Sequence, residues 1–302
     1  SRTGIKARHM LADDENGSDA GTEAALKALE DAGIAAEDIT HVLTATCTPD
    51  YLCPSTACII SGKIGSHGAM AFDLNAACTV YGLDVANSIL AGKPGAKVLL
   101  VGSEAFTRRL NWEDRTTCIL FGDGAAAAVL TNGDAGTPKR CLPSAPRLRD
   151  VRCGADGRQY PLLTVGGGTN RNYKPGDPVQ DDFYLQMQGR EVFKQAVRSL
   201  SAVCSELLED NGLTLEDIDL FIPHQANLRI IEAVGDRLKL GSEKIFVNLD
   251  EYGNTSAASI PLGIGDACAQ GRIRPGSRVL LSAFGGGFTW GAALLAGIRV
   301  EF

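Results

Sequence analysis

Aromatic residues are scarce, at 6% of the chain, so any core has to be built from aliphatic and small side chains. Histidine occurs only four times, which makes each one worth placing. No apolar run approaches the roughly 20 residues that a membrane-spanning helix needs. The longest runs, near 124–130 and 292–298, have the length of strands. The start, Ser1-Arg2-Thr3-Gly4-Ile5, lacks the apolar stretch of a secretory signal. Basic residues are outnumbered 29 to 36, for a net charge of −7, which argues against nucleic acid as a partner. The nine cysteines, at 47, 53, 58, 78, 118, 141, 153, 204 and 268, form no C-x-x-C pair. That excludes a zinc site of the usual spacing, and no metal is expected. Their odd number and the missing signal fit thiols in a reducing cytoplasm, most of them acting as small buried hydrophobes.

Glycine is abundant, at 35, within 302 residues, a length that suits two globular units or one doubled one. The chain repeats itself. Leu29-Glu30-Asp31-Ala32-Gly33-Ile34, with Glu37-Asp38-Ile39 after it, returns as Leu208-Glu209-Asp210-Asn211-Gly212-Leu213 with Glu216-Asp217-Ile218. The offset is 208 − 29 = 217 − 38 = 179. Pro94-Gly95-Ala96-Lys97-Val98 returns as Pro275-Gly276-Ser277-Arg278-Val279, at 275 − 94 = 181. Two matches in one order and nearly one register indicate an internal duplication.

Each half reads the same way. Helical periodicity over about 20–32 and 189–211 stops at Gly33 and Gly212. A strand follows, then a helix (about 54–64 and 226–240), a short strand, and a small-residue helix (about 78–92 and 255–270). A buried strand (97–102 and 278–284) and an apolar strand region (118–130 and 288–299) close each half. Strands alternating with helices predict an α/β fold with mostly parallel sheets. The first half spans 1–131, a loop-rich connection 132–187, and the second half 188–302.

In parallel sheets, ligands gather where strands end and helices begin. Cys78 follows the predicted strand 71–74 and opens a helix, where unpaired N–H groups and the helix dipole favour a thiolate nucleophile. Asn254 stands at the matching joint of the second half, where helix capping is the ordinary role for asparagine. His224 follows the strand 220–223. A lone histidine is more often a satisfied core or surface residue, but the three together read as a nucleophile and two neutral polar groups suited to a developing oxyanion.

These motifs match a known pattern. Asn75-Ala76-Ala77-Cys78, Phe121-Gly122-Asp123-Gly124-Ala125, Pro223-His224-Gln225-Ala226-Asn227, Gly253-Asn254-Thr255-Ser256-Ala257 and Phe284-Gly285-Gly286-Gly287-Phe288-Thr289-Trp290-Gly291 resemble, in order, the signatures of the β-ketoacyl-acyl carrier protein synthase III family. The resemblance implies a thiolase-like fold, two duplicated αβαβα halves forming five layers, and a cytoplasmic homodimer. It implies an acyltransferase that starts fatty acid biosynthesis by condensing an acyl-CoA primer with malonyl-acyl carrier protein, with the CoA thioester as substrate and no cofactor. By the same resemblance Cys78 carries the acyl group, His224 and Asn254 hold the malonyl enolate, and the N–H groups of Cys78 and Gly286 form the oxyanion hole. Phe284 shapes the catalytic cavity, Phe193 and Gly189 line the pantetheine channel, Asn227 contacts the arm and Arg2 lies near the nucleotide. Lys194, Arg229 and Arg237 match a basic face for the acidic carrier. Cys53, in Tyr51-Leu52-Cys53-Pro54, replaces a bulkier residue that closes the acyl pocket from the partner subunit, which predicts a roomier pocket. The family pattern extends about thirty residues before Arg2, so this sequence reads as truncated there.

Other readings make distinct predictions. Gly122-Asp123-Gly124-Ala125-Ala126-Ala127 resembles a degraded dinucleotide-binding turn, but neither a following helix nor an acid some 20 residues on is present. Thiolases and hydroxymethylglutaryl-CoA synthases carry a different second residue from Asn254. Specialised relatives that prime polyketides or make alkylquinolones keep the same three residues.

Overall fold

The computed structural model describes residues 3–75, 78–132, 147–166, 178 and 181–296, with the backbone alone at Cys78. The first half runs α1 (Gly17–Ala32), β1 (His41–Ala45), α2 (Thr56–Ile64), β2 (Met70–Leu74), α3 (Cys78–Gly92), β3 (Lys97–Glu104) and β4 (Gly124–Thr131). A strand β5 (Arg147–Ala155) and a hairpin of β6 (Leu163–Val165) and β7 (Leu185–Met187) follow. The second half runs α4 (Gly189–Asp210), β8 (Leu220–Pro223), α5 (Leu228–Leu238), α6 (Leu249–Tyr252), α7 (Ser259–Ala269), β9 (Arg278–Gly285) and β10 (Thr289–Ala296).

Two four-stranded sheets result, in the orders β2-β1-β3-β4 and β5-β10-β9-β8. Strand β1 runs parallel to β2 and β3, and β3 pairs antiparallel with β4. The second sheet repeats this: β8 is parallel to β9, and β9 is antiparallel to β10. Even β2 has a vestige there, a single parallel bridge between Ile245 and Phe221. Helices α1 and α2 cover the outer face of the first sheet, α4 and α5 that of the second, and α3 and α7 lie between the sheets. This is the five-layer thiolase arrangement that the family resemblance implies.

Local chemistry sets the element ends. The Asn16 and Asp19 side chains form a capping box at the start of α1, and Gly33 ends that helix at φ 64°. At α2, the Asp73 carboxylate accepts from the amides of Thr56 and Ala57 at 2.7 and 2.8 Å. The outer helix α4 buries Val192, Ala196, Leu200, Val203 and Leu207, one apolar stripe at helical spacing. Helix α3 contacts both sheets, and its close approach to β3 needs a glycine: a Cβ at Gly82 would lie 2.5 Å from Leu100.

The segment 132–187 differs from the loop-rich connection expected. It supplies β5, which pairs antiparallel with β10 at the sheet edge, and both strands of the small hairpin. Strand β5 exposes Arg147, Arg149 and Arg152, and Arg152 binds Glu206 and Asp210 of α4 at 2.9 and 2.5 Å. A strand whose polar face is tied down by ion pairs reads as solvated chain. No helix among the described residues is long and apolar enough to cross a membrane.

Candidate active site

A cavity of about 490 Å³ opens where the two halves meet the β6–β7 hairpin. Its wall includes Cys47 and Asn75 from the first half, and His224, Asn254, Phe284 and Gly286 from the second. Asn75 follows β2 and Asn254 follows α6, and both line this one space.

His224 sits at the C-terminal end of β8, and its amide donates to Ser282 of β9 at 2.7 Å. The next residue, Gln225, is fully buried and bonds the carbonyls of Pro223 and Phe246 and the amide of Asn248, which locks the strand end. The ring's Nδ1 lies 2.6 Å from Ser259 Oγ, and that hydroxyl lies 2.8 Å from the carbonyl of Ser256. A single hydroxyl proton therefore serves two acceptors, and its direction decides which ring nitrogen carries the histidine's proton. Burial pulls the His224 pKa down to about 4, so the ring is neutral near pH 7.

Asn254 follows α6 and Gly253, whose φ of 69° and close approach to Leu120 leave no room for a side chain. Its backbone is stitched to the first half: its amide donates to Leu120 at 2.9 Å, and its carbonyl accepts from Gly122 at 3.0 Å. Its Oδ1 accepts from the Ser256 amide at 2.9 Å. That bond fixes the carboxamide with its NH2 as the group left to face the cavity, a donor aimed where negative charge can develop. The capping role is thus a local turn and not a helix N-cap, because α7 begins only at Ser259.

Cys78 opens α3. Its side chain, with Ala76 and Ala77 before it, lies outside the described residues. The flanking residues locate its backbone: Asn75 lines the cavity, and Thr79 Oγ1 donates to the Ala257 carbonyl at 3.5 Å, in the segment just after Asn254. His224 and Asn254 thus share one wall, and the Cys78 backbone opens α3 between the lining residue Asn75 and the segment after Asn254.

Other expectations fall differently. Gly286 lines the cavity, and a Cβ there would lie 2.9 Å from the Leu163 carbonyl. Phe284 lines it too, packed on Phe288 at 4.8 Å between centroids. Gly189 and Asn227 are in the wall, although Asn227 also caps α5 by accepting from Ile230 at 3.1 Å. Phe193 is not in the wall. Its neighbour Val192 takes that place, and Phe193 packs in the core with Arg229 over its ring at 5.6 Å. One helical residue apart is about 100° around the axis, which sequence alone does not assign to a face. Cys53 is exposed in the loop before α2 and is not in the wall of this cavity. Lys194, Arg229 and Arg237 are all exposed on α4 and α5, and Lys194 pairs with Glu191 at 2.8 Å. Arg2 lies outside the described residues. Gly124 begins the antiparallel strand β4, so the dinucleotide reading lacks its helix. Residues that sequence reading did not single out are Glu104, Ser256 and Ser259. The hydroxyl-rich run Thr255-Ser256-Ala257-Ala258-Ser259 was the only signal for the two serines, and Glu104 had none.

Comparison with known proteins points the same way. Two family models match, 3-oxoacyl-[acyl-carrier-protein] synthase III over residues 72–145 and its C-terminal counterpart over 208–296. A β-ketoacyl-[acyl-carrier-protein] synthase III of Nitratidesulfovibrio vulgaris is 60% identical, over 98% of this chain and 87% of its own length. One from Xanthomonas campestris is 46% identical, over 98% and 88%. The crystal structure of the 3-oxoacyl-[acyl-carrier-protein] synthase III of Aquifex aeolicus superposes with a TM-score of 0.86 at 40% identity, covering 98% of this chain and 89% of that one. Fold, site and relatives agree, and the chain belongs to the 3-oxoacyl-[acyl-carrier-protein] synthase III family.

Proposed function

We propose that this condensing enzyme works in two half-reactions through one cavity, with Cys78 as the acyl carrier and His224 and Asn254 as the enolate-holding pair. The overall reaction joins an acyl-CoA primer to malonyl-acyl carrier protein, giving 3-oxoacyl-acyl carrier protein, carbon dioxide and free CoA, and initiates fatty acid biosynthesis. In the first half-reaction the Cys78 sulfur attacks the CoA thioester carbonyl. The C–S bond to CoA breaks, and the thiol proton ends on the departing CoA sulfur. Backbone N–H groups of Cys78 and Gly286 would hold the tetrahedral oxyanion.

In the second half-reaction the malonyl carboxylate leaves as carbon dioxide, and its C–C bond electrons form an enolate on the thioester. Asn254 Nδ2, held inward by the Ser256–Oδ1 bond, and His224 Nε2, which carries the ring proton when the Ser259 hydroxyl turns its own to Nδ1, would donate to that enolate oxygen. The carbanion then attacks the acyl group on Cys78 and releases the sulfur, which regains a proton from solvent. Neutral donors suit the step, because an imidazolium would protonate the carbanion; burial keeps His224 neutral. The inward carboxamide beside a buried neutral histidine is the observation that carries this reading.

The surroundings support the partners. Exposed Lys194, Arg229 and Arg237 lie on α4 and α5, the helices that begin at the wall residues Gly189 and Asn227, a basic face suited to an acidic carrier. Adjacent Tyr51 and Leu52 are 61% and 78% exposed, an apolar pair suited to a second copy of the chain. Intact-mass spectrometry after exposure to a panel of acyl-CoAs tests the first half-reaction. One acyl adduct on the native chain, absent from Cys78→Ala, is expected; no adduct with any donor would refute the assignment.

A further inference from the structure

Glu104, the last residue of β3, is 0% exposed. Its carboxylate accepts from the Thr48 hydroxyl at 2.6 Å, the Cys47 amide at 3.1 Å and the Thr46 hydroxyl at 3.4 Å, all in the first half. From the second half it takes the Ala257 amide at 3.5 Å and the Ser256 hydroxyl. These partners are hydroxyls and amides, with no cation among them. A buried carboxylate held only by neutral donors is costly unless those donors need an acceptor there. Desolvation pushes its pKa up to about 7, against the opposing pull of the same donors.

Ser256 explains the need. Its φ is +46°, in the left-handed region that disfavours a side chain. All three of its polar groups are committed. The amide turns the Asn254 carboxamide, the carbonyl lies 2.8 Å from the Ser259 hydroxyl that stands against His224, and its own hydroxyl meets Glu104. One residue in an unfavourable conformation thus sets both members of the enolate-holding pair. We propose that Glu104 is a positioning residue for condensation, holding Ser256, and through it Asn254 and His224, in their working geometry. The proposal rests on the roles assigned above to Asn254 and His224.

Replacing the carboxylate by an amide puts two N–H donors among donors, so Glu104→Gln should release Ser256. The readouts are Cys78 acylation by intact mass, and kcat and KM for malonyl-acyl carrier protein. Glu104→Gln should keep acylation and a KM within about twofold of the native value while kcat falls about tenfold or more. Ser256→Ala should do the same. Ser256→Gly should recover most of kcat, because glycine adopts a positive φ without an anchor. Adding Glu104→Gln to Ser256→Gly should then cost little more, the non-additivity expected of one chain of contacts. A native kcat in Glu104→Gln overturns the proposal. So does a loss of the same size in the Ser256→Gly background. Should Glu104→Gln not fold, the Ser256 pair decides: equal kcat in Ser256→Ala and Ser256→Gly overturns it. If Asn254→Ala keeps its decarboxylation rate, the functional reading itself fails; if only Glu104→Gln is silent, the positioning role fails alone.

Discussion

Two buried ionisable residues, Glu104 and His224, carry opposite pH signatures. Glu104 is raised from 4.5 to about 7, so the native state keeps a proton that the unfolded chain releases. Its contribution to stability is largest below pH 4.5 and is lost as pH rises towards 7. His224 is lowered from 6.5 to about 4, so the unfolded chain binds a proton that the native state refuses. Its contribution is present above pH 6.5 and is lost as pH falls towards 4. Each amounts to about 3 kcal/mol at 1.36 kcal/mol per pKa unit, and between pH 4.5 and 6.5 the two slopes oppose. Denaturation midpoints of Glu104→Gln should therefore climb from pH 5 to 6.5, and those of His224→Ala should fall. Parallel slopes in the two variants would contradict the burial of one or the other. Of these groups, only His224 was legible in the sequence, by its place after a strand and its rarity. Glu104 gave no sign, because an acid at a strand end is usually solvated. Its burial comes from the second half closing over it, which no local pattern records.

Among the elements, α3 and β3 carry the contact between the halves. Gly102 of β3 passes the segment after Asn254 so closely that a Cβ would lie 2.5 Å from the Ala257 carbonyl oxygen. That neighbour is backbone and cannot rotate away. Gly102→Ala should destabilise the protein by roughly 1–3 kcal/mol and lower condensation activity by shifting Ala257 and Ser256. Gly21→Ala is the control, since its 2.7 Å neighbour is the flexible tip of Ile60. Equal melting temperatures for the two variants would argue against a tight seam there. The element order was readable from repeated strand–helix joints and the constant offset between the halves. Strand β5 was not, because it exposes arginines, one of which, Arg152, is neutralised only by α4. The faces of α4 were resolved only by packing, which put Val192 rather than Phe193 in the cavity wall.

At the scale of the whole molecule, the duplicated halves bring their strand ends to one space, with Asn75 from the first half and His224 and Asn254 from the second in its wall. The cavity belongs to neither half alone. The expected homodimer adds a further layer: with Tyr51 and Leu52 so exposed, Leu52→Asp should shift the sedimentation coefficient from dimer towards monomer. A native protein that sediments as a monomer at micromolar concentration would remove the dimer from the account. The family pattern reported the reaction from motifs alone, since each motif lies at a strand end. The supporting network behind it needed coordinates.

A single-turnover experiment tests the central claim most directly. Protein loaded with acyl group, its mass verified, is mixed with malonyl-acyl carrier protein, and released carbon dioxide and 3-oxoacyl product are followed together. The native enzyme should form both in equal amounts. Asn254→Ala and His224→Ala should load acyl normally yet lose decarboxylation by about 10²–10³. Asn254→Asp, which turns a carboxylate on the enolate, should do no better than Asn254→Ala. Carbon dioxide released at the native rate by either alanine variant would contradict the account.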